Sequence, residues 1–64
     1  MAKYTVRVIS RRYDLKLGKP RIFDDYLEIT APDKHTAETE AWQRVLDEYP
    51  YCKFVDCYII KQEE

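Results

Sequence analysis

Apolar and polar positions alternate from the start of the chain. In KYTVRVIS, Tyr4, Val6 and Val8 point one way and Thr5, Arg7 and Ile9 the other. That is the two-residue period of a half-buried strand, here over residues 3–10. RIFDDYLEIT predicts a second strand over 21–30. Phe23, Leu27 and Ile29 share a face, and Asp25 interrupts it, as at a bulge or a frayed start. Between the two strands, Gly18 and Pro20 punctuate a connecting loop. The period then changes. In APDKHTAETEAWQRVLDEYP, Ala37, Ala41, Trp42, Val45, Leu46 and Tyr49 recur at three- and four-residue steps, the stripe of an amphipathic helix. Asp33 is its N-cap and Pro50 ends it. The small Ala37 and Ala41 let it lie close to a sheet, with Trp42 and Val45 expected in the core. YCKFVDCYIIK predicts a third strand over 52–61, and QEE a tail.

The order β-β-α-β implies an α+β fold. The first two strands form an antiparallel hairpin, and the helix carries the chain back. The third strand then either neighbours the second directly or takes the free edge of the first. The preferred arrangement is the latter: a three-stranded ββαβ sheet of order 2-1-3, a right-handed crossover and one helix on one face. Strict alternation turns Val6, Val8, Leu27, Ile29, Val55, Cys57 and Ile59 toward the helix. It leaves Thr5, Arg7, Ile9, Tyr26, Phe54, Tyr58 and Ile60 on the open face. Open sheet faces are usually polar, whereas this one is aromatic and aliphatic around Arg7. Arg and Tyr are frequent interface anchors, so the composition points to an interface. A homodimer of stacked sheets and a foreign partner fit equally well. The plain alternative is strand-forming tyrosine at a sheet margin.

Sixty-four residues allow one domain, residues 1–64, with a thin core. No apolar run is long enough to cross a membrane. Met1-Ala2-Lys3 leads straight into the alternating pattern without a signal peptide, so a cytoplasmic location is expected. Cys52 and Cys57 are the only cysteines. On one strand at odd spacing they fall on opposite faces, roughly 17 Å apart, beyond disulfide reach. With His35 the only histidine, no metal site is expected, and the thiols read as small hydrophobes.

Charge is segregated. Residues 1–21 carry Lys3, Arg7, Arg11, Arg12, Lys16, Lys19 and Arg21 against Asp14 alone, while residues 22–64 hold four bases against eleven acids. Three readings of this basic arm compete. The first is docking on a protein complex, with charge serving steering and specificity. The second is loop solubility. The third is a grip on nucleic-acid phosphates through the 11–21 hairpin, with Tyr13 stacking on a base. The acidic helix and the absence of a nucleic-acid-binding signature place the third last. The expected partner-binding residues are Arg7, Arg11, Arg12, Tyr13, Lys16, Lys19, Arg21, Tyr26, Phe54 and Tyr58.

No catalytic or cofactor-binding residues are expected. His35, in the first helical turn near Asp33, reads as a solvated residue or a minor cap partner, and the sequence places no histidine within reach of Cys57. Asp24 and Asp25, adjacent on a strand, point to opposite faces and make a poor carboxylate pair. One glycine cannot build a phosphate-cradling loop.

LEITAPDKHTAETEAWQRV, residues 27–45, is a strand ending in Ala31, a capping Asp33, then Ala37 and Ala41 four apart. It resembles the strand-to-helix step of small phage and plasmid accessory proteins, including some anti-CRISPR inhibitors. The resemblance covers under a third of the chain. It implies a non-enzymatic inhibitor that occludes a surface of a larger host complex, and it fits an acidic helix that imitates phosphates. The runner-up remains a nucleic-acid-binding module, followed by a structural homodimer.

Overall fold

The computed structural model describes residues 1–63. The elements are β1 (Ala2–Asp14), β2 (Lys19–Ala31), α1 (Lys34–Glu48) and β3 (Lys53–Glu63). The sheet order is β2-β1-β3, with both outer strands antiparallel to β1. The fold is therefore the ββαβ arrangement expected.

The hairpin is longer than the alternation suggests. Its register runs without a shift from Ala2↔Ala31 to Asp14↔Lys19, so Asp25 makes no bulge. Most of the basic segment is strand, and only residues 15–18 form the tip. Asp14 closes that tip. One carboxylate oxygen accepts from the backbone N–H of Lys16 at 2.9 Å and of Leu17 at 3.2 Å, and the other accepts from Arg21 Nε at 2.8 Å. Gly18 adopts φ +68°, a left-handed conformation that favours glycine, and its N–H donates to the Asp14 carbonyl. Pro20 is tolerated because β2 is an edge strand.

The core sits between α1 and the sheet. Val6, Val8 and Ile29 are fully buried beneath Ala37 and Ala41, whose small side chains bring the helix close. Tyr4 and Val45 extend this core. Trp42 does not enter it: with Leu46 it is partly buried against the rim. Asp33 caps the helix as expected, accepting from Thr36 N–H at 2.7 Å.

β3 departs from strict alternation. Its register against β1 shifts between Ile9↔Asp56 and Ser10↔Phe54, and again between Thr5↔Lys61 and Val6↔Ile59. Val55 and Ile60 are the extra residues, and each bulge reverses the facing of the strand residues beyond it. Phe54 therefore lies on the helix side rather than on the open face. Its ring meets Trp42 edge-on, with centroids 5.1 Å apart. Val55, expected to face the helix, is 48% exposed. The bulge also overturns the expected facing of the cysteines. Cys52 precedes β3 and is buried in the core, while Cys57 is partly buried on the same side, its Sγ 3.6 Å from the Glu38 carbonyl oxygen. Both thiols are free. Burial first, then Glu38 and Asp56, push the Cys57 thiol up to about 11.

Candidate functional site

Alternate residues of β1, from Lys3 through Arg7 to Tyr13, face away from α1. Arg7 is directly opposite Tyr26 on one side and Tyr58 on the other. Its guanidinium carbon lies 5.9 Å from the Tyr26 ring centroid and 5.7 Å from that of Tyr58. It donates to Asp24 Oδ2 at 2.9 Å and to the Tyr58 hydroxyl. These two bonds raise the Arg7 pKa, Asp24 more than Tyr58. The result is an oriented cation between two tyrosines, of which Tyr26 is 61% and Tyr58 37% exposed. Ile22 and Ile60 add exposed apolar surface. An Arg already held in place has little side-chain entropy left to lose on binding. Asp24 is the member that sequence reasoning missed, because its approach to Arg7 is a cross-strand diagonal that only the register reveals.

The helix side of the hairpin holds a second constellation. Arg12, expected as an exposed steering charge, is only 9% exposed and pairs with Asp25 at 2.9 Å. Its guanidinium carbon stacks 4.1 Å from the Phe23 centroid and 3.9 Å from that of Tyr49, while Arg21 stacks 4.0 Å from Phe23. Tyr49 follows the last turn of α1, so this ladder ties the hairpin to the helix end. Arg12 is thus a packing residue. A cleft of about 590 Å³ opens beside it, lined also by Tyr13, Glu48, Tyr51 and Cys52.

The basic arm is largely neutralised by acids beyond it in sequence or at its own turn. Arg7 pairs with Asp24, Arg12 with Asp25, Arg21 with Asp14 and Lys3 with Glu28. Among the described residues, Arg11, Lys16 and Lys19 have no ion-pair partner. The open face thus gathers Arg7, Tyr26 and Tyr58, with Arg11 and Tyr13 toward the tip. Lys16 lies in the turn itself. Phe54, Arg12 and Arg21 belong to the other side.

Among the described residues, no group of three or more His, Cys, Asp or Glu could hold a metal ion. Among those same residues, no helix is long and apolar enough to cross a membrane. Comparison with protein families, with curated proteins and with solved structures found no match to this chain.

Proposed function

We propose that this is a non-enzymatic binding protein whose open sheet face docks on a partner protein. The observation that carries the reading is the oriented Arg7, flanked by exposed Tyr26 and Tyr58 and braced by Asp24. Arg and Tyr anchors with exposed aliphatic neighbours are the composition of a protein interface centre. The resemblance of residues 27–45 to phage and plasmid accessory proteins makes occlusion of a larger host complex the favoured mode, in a cytoplasmic setting. Direct nucleic-acid binding by the hairpin is disfavoured, because Arg12 and Arg21 are consumed by Asp25 and Asp14. The test places a photo-crosslinking amino acid at Tyr26 and, as a control, at Gln43 on the exposed side of α1. The reading expects one discrete protein adduct from position 26 and none from position 43. An adduct equal to twice the chain's own mass would make the face a homodimer interface instead. Adducts only from position 43 would transfer the activity to the acidic helix.

A further inference from the structure

Arg11 and Lys53 are direct cross-strand partners in the register of β1 with β3. Both are exposed. They lie one step beyond the buried Ser10 and its partner Phe54, so both project from the open face. Like charges directly opposite each other on a sheet are destabilising. Among the described residues, acids lie close by, yet none forms an ion pair with Arg11 or Lys53. Asp24 is engaged by Arg7. Asp56, opposite Ile9, accepts from the Cys57 N–H and makes no ion pair. Exposed Ile22 flanks Arg11 on β2, and Tyr13 lies two residues farther along β1.

We propose that Arg11 and Lys53 form an anion seat at one end of the open face, taking a carboxylate side chain of the docked protein. This rests on the protein-docking reading and adds the partner's chemistry: an acidic residue set beside an apolar contact. Two adjacent cations supply convergent donors for one anionic group. A polynucleotide fits less well, because Asp24 and Asp56, both opposite Ile9, set negative charge in the next row of the same face and repel the phosphates that would flank the first.

The test uses the full chain, an amide-resolved NMR titration and two probes, a blocked hexaglutamate peptide and a twelve-nucleotide thymidine strand. The seat predicts peptide-induced shifts centred on Arg11, Ile22 and Lys53. Arg11→Gln and Lys53→Gln each weaken the peptide about two- to fivefold, the range of one exposed ion pair, and the double variant abolishes the localised shifts. Lys53→Glu raises the melting temperature by a few degrees, as a repulsive pair becomes attractive, and it too abolishes the peptide shifts. Absent or scattered shifts, a tighter oligonucleotide than peptide, or a melting temperature that is unchanged or lower in Lys53→Glu each overturn the seat. None of these results touches crosslinking at position 26, so failure of the seat is distinguishable from failure of the docking face.

Discussion

The guanidinium of Arg12 stacks 3.9 Å from the ring centroid of Tyr49, joining the hairpin to the end of the helix. The hairpin projects beyond the reach of β3, whose pairing with β1 stops at Arg11↔Lys53. At that boundary Phe23, opposite Ser10, and Arg12 and Arg21 just beyond it replace aliphatic packing with alternating cations and rings.

Arg12→Ala therefore removes a stacked, ion-paired side chain and leaves Asp25 without its partner. The expected cost is about 1–3 kcal/mol. Arg11→Ala, one residue away on the exposed face, should stay within about 0.5 kcal/mol. Urea unfolding of the two variants checks the contrast. Equal stabilities would show that the ladder contributes nothing.

What is legible in the sequence divides from what is not along one physical line. Alternation in β1 and the helical stripe through Ala37, Ala41 and Val45 record burial directly, so element order and Asp33 capping can be read, while connection rules favour the observed sheet order over its alternative. The bulge at Val55 cannot, because one inserted residue reverses facing without altering composition. Strict alternation misplaces Phe54, Val55 and Cys57 relative to one another for that reason. Arg12 does not read as a packing residue because its partners, Asp25 and Tyr49, are 13 and 37 residues away. Arg7 and Tyr26 can be assigned to one open face from alternation alone, whereas their direct pairing is set by the register.

The corrected facing of Phe54 has its own check. Trp42 and Phe54 meet edge-on, so a double-mutant cycle of Trp42→Ala and Phe54→Ala should return a coupling of about 0.5–1.5 kcal/mol. Zero coupling would return Phe54 to the open face.

Stability should fall in acid. The Thr36 backbone N–H holds Asp33 below its ordinary pKa, and Arg21 does the same for Asp14. A carboxyl whose folded pKa is depressed binds fewer protons folded than unfolded. Its contribution is complete above the unfolded value, about 4, and is lost as pH falls through the folded value. The melting temperature should be level from pH 5 to 7 and decline below about pH 4. Asp33→Asn, which still caps but does not titrate, should make the decline shallower. An identical decline in that variant would remove Asp33 from the account.

The most direct measurement is calorimetric titration of the partner captured at position 26, purified, against three forms of the chain. They are the parent, Tyr26→Ser with Tyr58→Ser, and Gln43→Ser, each first shown to be folded by circular dichroism. Truncating a central interface anchor costs about 2 kcal/mol or more. The double variant should therefore bind at least about thirtyfold more weakly, while Gln43→Ser stays within about twofold of the parent. Parent-like affinity in the double variant would contradict the claim that the open sheet face is where this protein acts.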